Sequence, residues 1–148
     1  MRRYVVDTNL YVAADRSQDK AEELVAFYAR YLPRTVFHAV VAQELLLGAV
    51  DARREKLIRD AYVRPFESRG RLLAPTFANW VRSGEVVARL VRSRALSPGG
   101  FGRSFLNDVL LAVSCRTAGM TLVTNNLAGF ERIRRIEPFD FVAPWPTD

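Results

Sequence analysis

The sequence predicts an α/β fold: a mainly parallel central sheet of four or five strands, flanked by helices on both faces. Two observations predict it. Short β-rich runs alternate with segments of helical periodicity along the chain, and strands separated by helices pair in parallel and are covered on both sides. The length of 148 residues, 49% of them apolar, suits one domain spanning 1–148 with a substantial core.

Residues 3–6 (Arg-Tyr-Val-Val) form the first strand, and Asp7-Thr8-Asn9 supplies helix-start chemistry behind it. Leu24, Val25, Phe27, Tyr28, Tyr31 and Leu32 recur at helical spacing until Pro33 closes the helix. Residues 35–38 form a second strand. Helical patterns follow over 40–50 and 52–66, with Gly48 as the break between them. Leu72-Leu73-Ala74 is a short strand or a connection. Thr76 caps a helix that carries Trp80, Val86, Val87, Leu90 and Val91 on one side. Ser97–Gly102 is a loop, and Phe105, Leu106, Val109, Leu110 and Val113 mark the next helix, which Gly119 ends. Residues 120–124 form a buried strand, 127–134 a short helix and 139–142 a last strand. Pro144 and Pro146 then stop regular structure.

Composition excludes several classes. One cysteine, Cys115, leaves no internal disulfide and, with a single histidine, no structural zinc site. No apolar run approaches the ~20 residues of a spanning helix, and an acid follows too early for a signal peptide. A cytoplasmic protein without membrane attachment is the expectation. The net charge is +6, from 22 Lys+Arg against 16 Asp+Glu. Most of the cations are arginines, whose planar fork suits phosphate, although charge alone does not establish a nucleic-acid partner.

Three acids stand in apolar surroundings, where an unpaired carboxylate is costly. Asp7 follows Tyr4-Val5-Val6, Glu44 lies among Val40, Val41 and Leu47, and Asp108 lies among Phe105, Leu111 and Ala112. Each has a structural explanation: Asp7 as a helix cap, Glu44 as an exposed helical residue, Asp108 as the partner of Arg103 or Arg116. Jointly they say more. One ends the first strand, one lies in the helix after the second, one begins a later helix, and Thr124-Asn125-Asn126 follows the next strand. All four places face one crevice at the carboxyl ends of a doubly wound sheet. Oxygen-only ligands of this kind suit Mg²⁺ or Mn²⁺.

The set Asp7-Thr8-Asn9, Glu44, Asn107-Asp108 and Thr124-Asn125-Asn126 resembles the PIN-domain ribonucleases, most closely the toxins of VapBC-type toxin–antitoxin pairs. The resemblance spans almost the whole chain, in order. It implies metal-dependent hydrolysis of RNA phosphodiesters, with Mg²⁺ or Mn²⁺ as cofactor. Asp7 and Asp108 are then first choices as metal ligands. Glu44 binds the metal or orients the nucleophile, and Asn126 has water-mediated duty. Thr8 and Thr124 fix the acid-bearing turns, while Asn9 touches phosphate or only caps. Many members carry an aspartate where this chain has Asn126, which leaves three formal carboxylates and favours one firmly held metal.

Arg103, just before the third acid's helix, is the first choice for substrate binding, with Arg16 second. His38 and Cys115 are structural, Trp80 and Tyr28/Tyr31 serve packing, and Arg53, Arg54 and Arg59 form a solvated helix face. The resemblance also implies a homodimer and a small VapB-like antitoxin. The apolar faces of 24–32 and 40–50 are candidate docking surfaces. Two alternatives share the fold: a PIN nuclease of RNA processing outside a toxin pair, and a catalytically silent PIN-like module. The loop at 97–102 lacks a P-loop ending, and Asp-Thr-Asn replaces both a dinucleotide-binding glycine turn and a phosphatase Asp-x-Asp.

Overall fold

A computed structural model describes residues 1–148. Five short strands make its centre: β1 (Tyr4–Val6), β2 (Thr35–His38), β3 (Leu72–Leu73), β4 (Thr121–Val123) and β5 (Phe141–Val142). They lie in the order β3-β2-β1-β4-β5, with every neighbouring pair parallel. Helices α1 (Thr8–Arg16) and α2 (Gln18–Tyr31) connect β1 to β2. Next come α3 (Ala39–Leu47), α4 (Ala52–Ile58) and α5 (Arg64–Glu67), the last two joined by a π-helical turn. Helices α6 (Phe77–Arg92) and α7 (Arg103–Ala118) lead to β4, and α8 (Leu127–Arg134) leads to β5.

The period-two alternation of the strands builds a core on each face. Tyr4 and Val6 pack with Leu10, Phe27, Tyr31 and Phe37 beneath α1–α5. Val5, between them, points the other way, to Val86, Leu90, Val113 and Leu122 beneath α6–α8. Adjacent residues of β2 and β4 divide likewise: Val36 and Leu122 go with Val5, Phe37 and Val123 with Tyr4. Burying each such side chain contributes about 1.5–3 kcal/mol, so a slip of one residue in register is strongly disfavoured.

The element order follows the predicted one, and α8 has the predicted bounds. The short apolar run at 72–73 pairs with β2 as a true strand, and the last strand is confined to Phe141–Val142. Thr76 caps α6 in a reciprocal box with Asn79. Two expectations need correction. Trp80 is 60% exposed, because the first turn of α6 overhangs the core that Val86 and Leu90 fill. The proposed docking faces at 24–32 and 40–50 are largely used internally: Leu24, Phe27, Tyr31, Val40, Val41 and Leu45 are buried, leaving Val25, Leu47 and Val50 outside.

From β1 the chain works outward to β2 and β3, then returns to place β4 on the other side of β1. The crevice at this reversal lies beyond the carboxyl ends of β1 and β4, where Asp7 and Thr124 stand.

Candidate active site

Asp7 is the hinge between β1 and α1. Its backbone N–H continues the sheet by donating to the Val123 carbonyl at 2.9 Å. Its carboxylate caps α1, Oδ1 accepting from the Thr8 N–H at 2.8 Å. Oδ2 accepts from Thr124 Oγ1 at 2.7 Å and from Asn9 Nδ2 at 3.4 Å. The side chain is almost wholly buried. Burial pushes its pKa up, and the Glu44 charge adds to this, while the bonds from Thr124 and Thr8 hold it down.

Thr8 ties the second acid to the first, its hydroxyl donating to Glu44 Oε1 at 2.7 Å. Asp108, on α7, receives Asn126 Nδ2 at 3.3 Å on its Oδ2. Asn126 in turn caps α8, its Oδ1 accepting from the Gly129 N–H at 3.3 Å. Burial, with repulsion from Asp7 and Glu44, pushes the Asp108 carboxyl up to about 7. Neither suggested ion pair of Asp108 forms. Arg116 donates instead to the buried Glu137 at 2.5 Å, which Arg82 also clasps.

These residues line one cavity of about 650 Å³. Asp7, Thr8, Asn9, Glu44, Asp108 and Asn126 are all on its wall, brought from four connections of the sheet. Thr124 stands behind them as a buried support for Asp7. Arg16 is on the wall, but Arg103 is not. The helix explains this: Arg103 lies five residues before Asp108, about 140° round the axis, whereas Ser104, four before it, shares its face. Ser104 therefore lines the cavity. Ser17 and Lys20 also do, because α2 folds back along α1, and no local pattern marks that return. His38 is buried, as a structural residue should be. Its Nδ1 accepts from the Val40 N–H at 3.0 Å and its Nε2 meets Ser114 Oγ at 2.6 Å, while burial pulls its pKa down to about 4. Cys115 is fully buried and its thiol is pushed up by that burial, so it is no nucleophile.

The donor set is suited to a hard divalent cation. Asp7, Glu44 and Asp108 repel one another and have no cationic side chain paired with them. Asn9 Oδ1, on the same wall, is a buried acceptor with no hydrogen-bond partner. Asp7, not Asn9, caps α1. No three acidic, histidine or cysteine side chains converge into a ready-made metal cage. The residues thus fit an ion that keeps much of its water and takes few direct protein ligands, as Mg²⁺ does.

A parallel α/β domain with acids gathered at its strand-order reversal belongs to the class of open-sheet proteins whose ligand crevice lies at the carboxyl ends of the strands. The chain belongs to the PIN domain family, whose model matches residues 4–136. Its fold is similar to a chain of DNA-bound VapBC from Salmonella typhimurium: 24% identity, TM-score 0.70, covering 97% of this chain and 98% of that one. VapBC2 from Rickettsia felis, bound to a promoter DNA fragment, has a similar chain at 22% identity and TM-score 0.64, with 97% and 98% covered. FitAcB from Neisseria gonorrhoeae gives 15% identity and TM-score 0.69, with 97% and 99% covered. At such identities the likeness is one of fold. No curated protein sequence matches the chain. No helix is long and apolar enough to cross a membrane.

Proposed function

We propose that this PIN domain, occupying 1–148 as a single unit, is a metal-dependent endoribonuclease. It acts in the cytoplasm as the toxin of a two-component pair, as a homodimer held in check by a small VapB-like antitoxin. The observation that carries the activity is the set of acids, Asp7, Glu44 and Asp108, gathered without cationic partners at the strand-order reversal of a PIN-family chain. The toxin assignment is supported by the similarity in fold to chains of VapBC and FitAcB assemblies.

Asp7 and Asp108 are the principal ligands for Mg²⁺ or Mn²⁺, with Glu44 beside them. When bound, such an ion supplies positive charge against the phosphate and acidifies water. The chain's own residues do the rest. Thr124 and Thr8 hold the Asp7 carboxylate in one orientation, and Thr8 also fixes Glu44 through Oε1. Oε2 of Glu44 is left to accept a proton from the attacking water. That water's oxygen bonds to phosphorus as one P–O ester bond breaks; the leaving oxygen departs with the bonding pair and takes a proton from solvent, giving a phosphate monoester and an alcohol. Asn126 positions Asp108 without adding charge. Arg16 and Lys20 draw the flanking phosphates to the cavity mouth, while Arg103 contributes only to the general basic field.

The test is cleavage of total RNA by the purified protein with Mn²⁺ or Mg²⁺, followed by sequencing of the new ends. Activity should vanish with a chelator. Asp7→Asn should lower it beyond the ~100-fold reached by losing an outer partner of a metal ligand, with an unchanged circular dichroism spectrum. A folded Asp7→Asn protein that cleaves like the wild type would refute the assignment.

A further inference from the structure

The acid cavity has a neighbour that the proposed chemistry does not use. Beyond Asp108 and Asn126 lies a second cavity of about 690 Å³. Ser104, Asp108 and Asn126 belong to both walls, so the two spaces meet over the same residues. Its wall also includes Phe101 and Gly102 from the loop before α7, Phe105 of α7, and Arg132 and Arg135 at the end of α8.

Two features give this space a chemistry. The first is positive charge held in no ion pair. Arg134 is held by Glu131, but Arg132 and Arg135 have no acidic partner. The Arg132 guanidinium lies 5.1 Å from the centroid of the Phe105 ring, which steadies its head without neutralising it. The second is an aromatic wall. Phe101 leans on Phe105 with centroids 6.5 Å apart and planes at 53°, and remains partly exposed. Arginines beside a partly exposed aromatic ring suit a phosphate with an unpaired base. An arginine–aromatic hollow would also take an acidic peptide. Continuity with the acid cavity favours the nucleotide: a phosphodiester placed over Asp7 and Asp108 carries its next phosphate and base into this space. The acids are then flanked by cations on both sides, Arg16 and Lys20 on one and Arg132 and Arg135 on the other.

We propose that the second cavity is the subsite for the nucleotide next to the scissile phosphate of single-stranded RNA. Arg132 and Arg135 hold its phosphate, and Phe101 stacks on its base. The proposal rests on the ribonuclease assignment above.

It is tested by binding of a short, non-cleavable 2′-O-methyl RNA across a range of salt concentrations, together with cleavage of the unmodified RNA. Each contact to a single-strand phosphate contributes about 0.7 to the slope of log K against log salt. Arg132→Gln/Arg135→Gln should therefore lower the magnitude of that slope by about 0.7, for the one phosphate the pair holds. Arg135→Gln alone, at an exposed residue, should weaken binding and lower the slope by less than the double variant does. Phe101→Leu should weaken binding about tenfold and leave the slope unchanged. Mn²⁺ affinity should be unaltered in all three. If folded variants bind and cleave RNA as the wild type does, the subsite is overturned and the ribonuclease assignment stands. If the wild type neither binds nor cleaves RNA, the assignment itself falls, and the subsite with it.

Discussion

Asp108 shows how a single residue trades stability for chemistry. Its carboxyl titrates near 7 in the fold, pushed there by burial and by Asp7 and Glu44, against about 4 in an unfolded chain. Between those values the folded state binds the extra proton, so the metal-free protein loses stability as pH rises from about 4 to about 7. Asp108→Asn removes both the charge and the titration. Its thermal midpoint should exceed that of the metal-free wild type at pH 8 and show less decline from pH 5, while RNA cleavage is abolished. Equal midpoints at pH 8, or a cleaving variant, would contradict this account. The acids were legible as residues because each interrupts an apolar run. Their mutual repulsion was not, since it depends on distances between three separate elements.

Among the elements, α7 serves both the site and the core. It buries Val109 through Cys115 and presents Asp108 and Ser104 to the crevice. Its end is set by Gly119, the C-cap, at φ +67° with nothing close to where a Cβ would lie. Gly119→Ala should therefore cost about 1 kcal/mol through backbone strain alone, read as a lower midpoint in urea with an unchanged m-value. A loss of several kcal/mol would point to a packing role instead. Helical periodicity identified α7 and its glycine stop. It put Arg103 before Arg16, whereas Arg16 lines the cavity and Arg103 does not, because that depends on which face of α7 meets the crevice. Trp80 fell outside the expected core for a related reason: a helical stripe says which residues share a side, and tertiary packing says where the covered part ends.

Across the whole molecule the charge is unevenly placed. Net charge is +6, yet the crevice gathers Asp7, Glu44 and Asp108 and has basic side chains on either side. An acid centre within a basic surface suits a cation with a polyanion over it. Asn126 supplies no fourth charge beside the three acids. Calorimetric titration of Mn²⁺ into the substrate-free protein should therefore show one tight site, and saturating Mn²⁺ should raise the thermal midpoint more at pH 8 than at pH 5. Two tight, equivalent sites would contradict this.

Alternation of β-rich and helical segments was enough to determine a parallel sheet clothed on both faces, since strand and helix periods are local and parallel strands require crossovers. The four acid-and-amide motifs were likewise readable, because polar residues in apolar runs stand out against burial. The tertiary structure alone decided what those residues face. Strand order placed β4 beside β1 and brought Thr124 onto Asp7. Helix rotation admitted Ser104 and turned Arg103 away, and the return of α2 supplied Lys20. The physical reason is the range of the interactions: periodicity and capping act within a few residues, whereas electrostatic frustration and a shared cavity arise only where distant segments are forced together by burial of the core.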